Sequence, residues 1–120
     1  MRELDELFVS LAKSPFRKKF HLQGKDLEYL HNKGLTTVLS HANDFIIKRL
    51  APAFPEKDGK QTPFHGHPVF VAQHATACCC RGCLEKWHRI PAGHPLTLDE
   101  EAYIVSVLKR WLGEEMTKSL

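Results

Sequence analysis

Hydrophobic residues recur along the chain at intervals of three and four, which is the period of an α-helix. The first stripe predicts a helix over residues 3–13, which Ser14-Pro15 ends because proline cannot continue a helical hydrogen-bond pattern. Phe16 and Phe20 lie four residues apart with basic residues between them, so they predict a further helical turn.

The clearest amphipathic stripe lies in the middle of the chain. Residues 25–33 predict a short helix, and Gly34 follows where a left-handed residue favours the end of a helix. Thr36 or Thr37 is then expected to cap the next helix, which the apolar residues predict over 38–50. No period is visible in residues 51–67, which predict a long irregular loop.

Three further helices are predicted after that loop. Pro68 suits the first position of a buried helix that runs toward Ala77. Leu84, Trp87 and His88 lie at helical steps in the next one. Thr97 and Glu100 form a capping box before the last helix, which is expected to end at Gly113.

Strand-like alternation never persists, so the sequence predicts an all-α fold: one compact domain over residues 1–120, with about five to six helices, the long loop and a Cys/His metal site. A length of 120 residues, with 42% hydrophobic and 26% charged residues, is typical of one globular domain. Acidic residues interrupt the first apolar stretch and no apolar run has the length of a membrane span, so we expect a cytoplasmic protein.

The net charge of +3 does not by itself indicate a nucleic-acid partner. A local basic segment at residues 13–25 could neutralise phosphates, but a solvated helix face is the favoured interpretation. In the long loop, Lys60, Gln61 and Thr62 offer hydrogen-bond donors that could meet an anion, and a flexible surface connection is the alternative.

All four cysteines lie within residues 78–83. In a reducing cytosol such a cluster indicates metal binding, redox chemistry or packing rather than stable disulfides. Cys80 and Cys83 form a CxxC pair, whose spacing lets one tight turn direct two thiolates at a tetrahedral ion. His88 has the spacing of a third ligand, and either His74 or Cys78 is expected as the fourth, since on a helix these two would share a face.

Three adjacent cysteines cannot all bind one ion from a regular helix, because neighbouring side chains point about 100° apart around the helix axis. At least one of them is therefore expected not to be a ligand. Cys79 is the candidate for a packed or free thiol, because its neighbours can supply the same ligand. Zinc is the favoured ion, whereas an iron-sulfur cluster usually needs thiolates that are further apart.

Several alternatives stay open at the level of the sequence. The cysteines could simply pack against Trp87 and Phe70 while His74 and His88 make local hydrogen bonds. A redox-active CxxC pair and a nucleophilic cysteine are further alternatives. If a zinc ion kept one coordination position open, the protein would be a metal-dependent enzyme, with Glu85 or His67 as acid or base.

Three motifs resemble a bacterial family that is known only as a domain of unknown function: G-K-Q-T-P at residues 59–63, G-H-P-V-F-V-A-Q-H-A-T at 66–76 and C-C-C-R-G-C-L-E-K-W-H-R-I-P at 78–91. The likeness extends through F-R-K-K-F-H-L, H-A-N-D-F-I-I-K-R-L-A-P-A and Y-I-V-S-V-L-K-R-W-L, so it covers nearly the whole chain. It implies a single domain and no particular reaction.

A looser resemblance links the G-H-P-V-F, C-C-R-x-C and W-H elements to helical modules that accompany enzymes of modified DNA bases. It implies that Lys60, Gln61, Thr62 and Arg81 face a phosphate or a base, with nucleic acid as the partner. The alternative to a plain metal-binding module is therefore a metal-dependent enzyme that acts on nucleotides or nucleic acid.

Overall fold

Seven α-helices make up the computed structural model, which describes residues 1–119. They are α1 (Leu4–Ala12), α2 (Pro15–Lys18), α3 (Gly24–Lys33), α4 (Leu35–Arg49), α5 (Pro68–Ala75), α6 (Arg81–His88) and α7 (Leu98–Lys118). Residues 1–119 contain no β-strand. The predicted all-α fold is confirmed, with more helices than expected because the turn after Ser14 forms a helix of its own.

The observed helix ends can be compared with the capping residues predicted from the sequence. The capping box of Thr97 and Glu100 is present at the start of α7, as predicted. Gly34, with φ of 84°, ends α3 and also precedes α4, so α4 begins at Leu35 and the expected threonine cap was wrong.

Helix α7 continues through Gly113, where the sequence predicted its end. It continues because Glu115 and Met116, in the next turn, are still packed against the domain. Although α7 has 21 residues, neither it nor any other helix of the described chain is long and apolar enough to cross a membrane.

Helix α5 lies at the centre of the domain, where it contacts α2, α3, α4 and α7. Seven of its eight residues are buried, including the polar side chains of Gln73 and His74. Because helices surround α5, its C-terminal end is held in a fixed position. The cysteine-containing segment begins at this end.

The long loop between α4 and α5 is irregular, as predicted, and it is fastened to the domain at several points. The Thr62 hydroxyl donates to the carbonyl oxygen of Cys79 at 2.8 Å, and the backbone N–H of Arg81 donates to the Asp58 carboxylate at 3.0 Å. These two bonds attach the loop to both sides of the first CxxC cysteine, Cys80.

Candidate metal centre

The backbone changes direction between α5 and α6, and this change positions the cysteines. Ala77 adopts the left-handed conformation, with φ of 60°. The backbone N–H of Cys78 donates to the carbonyl of Gln73 at 2.8 Å, and the Gln73 side-chain amide donates back to the carbonyl of Cys78 at 3.0 Å. The chain has therefore left helical geometry before Cys79, so adjacent cysteines are free to point along different directions.

Three thiols converge just after this turn. The sulfur atoms of Cys79, Cys80 and Cys83 all lie within 4.8 Å of one another. Cys80 is the N-cap of α6, and its sulfur accepts the backbone N–H of Cys83 at 3.4 Å. Zinc–thiolate bonds of about 2.3 Å place two sulfurs of a tetrahedral site about 3.8 Å apart, so only small side-chain movements separate this arrangement from a metal site.

A buried arginine contacts the same sulfur atoms from the far end of the sequence. The Arg17 guanidinium lies 3.3 Å from the sulfur of Cys83 and 3.8 Å from that of Cys79. It also donates to the carbonyl oxygen of His74 at 2.7 Å and lies over the ring of Trp87. These contacts fix one positive charge beside the three thiols, where it stabilises a thiolate.

The thiols of the cluster differ in the direction in which their pKa values are shifted. Hydrogen bonds from Cys79 and Cys80, followed by the contact with Arg17, lower the pKa of Cys83 to about 2. The pKa of Cys79 is raised, because its thiol donates hydrogen bonds to Cys80 and Cys83 and is buried. Within the cluster, Cys83, which lies next to Arg17, is therefore the thiol that ionises most readily.

Cys78 lies apart from this cluster in the hydrophobic core. Its side chain is fully buried, and burial raises the pKa of its thiol to about 12. The sulfur lies 3.7 Å from the carbonyl oxygen of Thr76 and 3.5 Å from Nε2 of His88. Cys78 is therefore a neutral thiol packed in the core.

His88 is fully buried and both of its ring nitrogens have protein partners. Nε2 lies 2.8 Å from the carbonyl oxygen of Thr76, which can only accept, so Nε2 carries the proton. Nδ1 then accepts from the Tyr103 hydroxyl at 2.7 Å. This arrangement satisfies a neutral imidazole without a metal ion.

His74 also lies outside the three-thiol cluster. Its Nε2 donates to the carbonyl oxygen of Thr62 at 2.9 Å, and its ring stacks on Phe64 with the centroids 4.2 Å apart. Because α5 ends at Ala75, His74 and Cys78 do not share a helical face, contrary to the geometry expected from their spacing.

The structure differs from the sequence-based prediction in the identity of the cysteine that lies outside the cluster. Cys80 and Cys83 lie together as expected, but Cys79 joins them and Cys78 packs in the core. The sequence predicts Arg17 only as part of a basic, solvated helix face. Its role could not be read from the sequence, because 62 residues separate it from Cys79 and no local pattern connects the two.

A family model described as Domain of unknown function (DUF4186) matches residues 5–113. The chain belongs to this family. No solved structure matches the chain. The DUF4186 description assigns no chemistry, so the functional inference depends on the side chains of the site.

In this DUF4186 chain, the four candidate anion contacts occupy different environments. Lys60 is exposed, whereas Thr62 is buried with its hydroxyl bonded to Cys79. The Gln61 amide donates to Asp58 at 2.8 Å. Arg81 is only 1% exposed and donates to four backbone carbonyls, so its guanidinium is unable to face a phosphate as the looser resemblance implied.

The buried His88 makes the stability of this DUF4186 domain depend on pH. Burial lowers the pKa of His88 from 6.5 to about 4, so the unfolded chain binds a proton here more readily than the folded one. The contribution of the neutral, buried His88 to the free energy of unfolding is complete above pH 6.5 and is lost as the pH falls toward 4. At pH 4.5 we expect the free energy of unfolding to be lower by about 2–3 kcal/mol because of this group.

Urea unfolding at pH 7 and at pH 4.5 measures this loss. His88→Gln is expected to reduce the difference in the free energy of unfolding between the two pH values. His65→Gln, at an exposed position, is expected to leave this difference unchanged. The remaining difference comes from His67, whose pKa is also lowered to about 4 by burial and by His41, and from His74 and Cys83, whose pKa values are lowered as well. An identical pH dependence in His88→Gln would contradict the assignment.

Proposed function

We propose that this DUF4186 protein binds a zinc ion through Cys79, Cys80 and Cys83. The single observation that carries the proposal is the convergence of three sulfur atoms within 4.8 Å of one another. Thiolates select soft and borderline ions, and zinc accepts three of them in tetrahedral geometry. An iron-sulfur cluster fits less well, because it usually takes four thiolates from positions that are more widely spaced.

The charge of the surroundings supports this assignment. A zinc ion with three thiolates carries one net negative charge, and a buried negative charge needs a partner. The Arg17 guanidinium already lies beside two of the three sulfurs and compensates that charge. Its N–H groups are also suitable hydrogen-bond donors to metal-bound sulfur, which lowers the cost of holding thiolates together.

The position of the cluster suggests what the ion would stabilise. The long loop is attached to the cysteine segment through Thr62 and Cys79, and again through Asp58 and Arg81. An ion bound by Cys79, Cys80 and Cys83 would lock the loop-attached cysteine to the first turn of α6. Because the free energy of metal binding adds to that of folding, zinc would stabilise the loop together with the helix.

The proposal is tested by the zinc content of the full chain purified without added metal. We expect about one zinc per chain, since a three-thiolate site retains zinc through purification. Removal of the ion by a chelator is expected to lower the melting temperature, and added zinc to restore it. A normally folded protein that contains less than a tenth of one zinc, and that does not respond to added zinc, would overturn the proposal.

A second candidate function follows from the number of ligands. In residues 1–119, no fourth His, Cys, Asp or Glu atom joins the three sulfurs. A zinc ion with three protein ligands retains a position for water, which is typical of catalytic sites, so a metal-dependent enzyme acting on nucleotides or nucleic acid is the alternative. With cobalt in place of zinc, added azide changes the d–d spectrum only if that position is exchangeable, and an unchanged spectrum would exclude the enzyme.

A further inference from the structure

A surface pocket of about 560 Å³ lies between the end of α4 and the long loop. Four cationic side chains and one acidic side chain line it: Lys48, Arg49, Lys57, Lys60 and Glu56. Ion pairs within 4.0 Å occur elsewhere in the described chain, but none of them involves these four cations. The pocket therefore has an excess of positive charge, with four cations against one carboxylate and no ion pair of those cations among the described residues.

The loop that carries two of these cations is held in a defined turn. Lys57 is in the left-handed conformation, with φ of 54°, and its carbonyl accepts the backbone N–H of Lys60 at 2.8 Å. The nearby Asp58 carboxylate accepts from the backbone of Arg81 and from the Gln61 amide. These two hydrogen bonds connect the Asp58 carboxylate to the turn and to Arg81, the first residue of α6.

One aromatic ring belongs to the pocket. Phe54 lines it and is 83% exposed, so a large apolar ring faces water at the edge of a cationic surface. On the opposite element, the guanidinium of Arg49 lies over the rings of Phe45 and Phe70, which hold it against the end of α4. An exposed ring beside cationic side chains is the combination that binds a base by stacking and its phosphate by charge.

We propose that this pocket binds a nucleoside phosphate, either as a free nucleotide or as one unit of a single strand. Phe54 stacks on the base, and Lys57 and Lys60 contact the phosphate. Charge complementarity favours this occupant over an apolar peptide, because four cations that outnumber the one carboxylate of the pocket would be costly to cover with apolar surface. This pocket is independent of the proposed zinc site, since none of the three clustered cysteines lines it.

Fluorescence anisotropy of the full chain tests the proposal with a labelled oligothymidylate and with ATP as the competitor. Phe54→Ala is expected to weaken single-strand binding at least about fivefold, as base stacking on an aromatic side chain contributes about 1–3 kcal/mol. Lys57→Gln/Lys60→Gln is expected to weaken it further and to reduce the slope of log K against log salt by about 1.4.

The matched control is Lys13→Gln/Lys25→Gln, which removes the same charge from the exposed basic segment near the N-terminus. We expect this control to bind as the unaltered protein does. Competition by ATP would assign the pocket to free nucleotides, and binding of the oligonucleotide without such competition would assign it to single strands. No binding of either probe at low salt, an equal loss in the control, or unchanged binding by Phe54→Ala would overturn the proposal.

Discussion

Cys83→Ser is expected to weaken zinc binding by more than about 100-fold, and Cys79→Ser is expected to do the same. Changes in residues that only support a metal ligand already cost 10–100-fold in affinity, so the loss of a thiolate ligand must cost more. The measurement is competition with a chromophoric chelator on folded protein, combined with zinc analysis. Circular dichroism establishes that each variant has retained its helices.

Cys78→Ala is the matched control for this series. Cys78 adjoins Cys79 in the sequence, but its sulfur lies with Thr76 and His88 and outside the three-thiol cluster. The variant should therefore keep its zinc, although loss of a buried sulfur lowers the stability by about 1 kcal/mol. If Cys78→Ala lost zinc while Cys79→Ser kept it, the assignment of the two neighbours would have to be exchanged.

Arg81→Met is expected to lower the free energy of unfolding by about 3–5 kcal/mol. The buried guanidinium donates to the carbonyl oxygens of Leu50, Pro52, Pro91 and His94, at distances from 2.7 to 3.4 Å. These acceptors belong to the end of α4, the long loop and the connection between α6 and α7. Methionine replaces the unbranched, aliphatic part of the arginine side chain but leaves the carbonyls without donors, and each unsatisfied buried group costs about 1–3 kcal/mol.

Urea unfolding compares this variant with Arg81→Lys and Arg89→Met. Lysine keeps the charge but presents its donors from one point, so it is expected to recover less than half of the lost stability. Arg89 is exposed, and its replacement should change the stability by less than about 0.5 kcal/mol. Equal stabilities of Arg81→Met and Arg89→Met would refute the role given to the four hydrogen bonds.

Local signals predicted most helices of the fold, because each depends on residues a few positions apart. The stripe over residues 3–13, the proline that begins α5 and the capping box of Thr97 all have their predicted roles. The errors fell where packing overrides local preference. Gly113 did not end α7, since the following turn still contacts the core.

The candidate site was predictable only in part. The CxxC spacing placed Cys80 and Cys83 together, because two residues between cysteines make one turn regardless of the fold. The choice between Cys78 and Cys79 depended on the left-handed turn at Ala77, for which alanine gives no sequence signal. The zinc ion itself stays a prediction.

By itself, the sequence determined the helical class, the irregular loop and the concentration of thiols in one short segment. These properties follow from short-range periodicity and composition, which do not require knowledge of distant contacts. The tertiary structure alone decided that Arg17 lies beside the thiols, that Arg81 is buried among carbonyls and that four cations of α4 and the loop share one pocket. Arg17 lies 66 residues from Cys83, and Arg81 lies 31 residues from Leu50, so only tertiary packing brings these groups within contact distance. The pocket depends instead on the path of the irregular loop, for which the sequence shows no period.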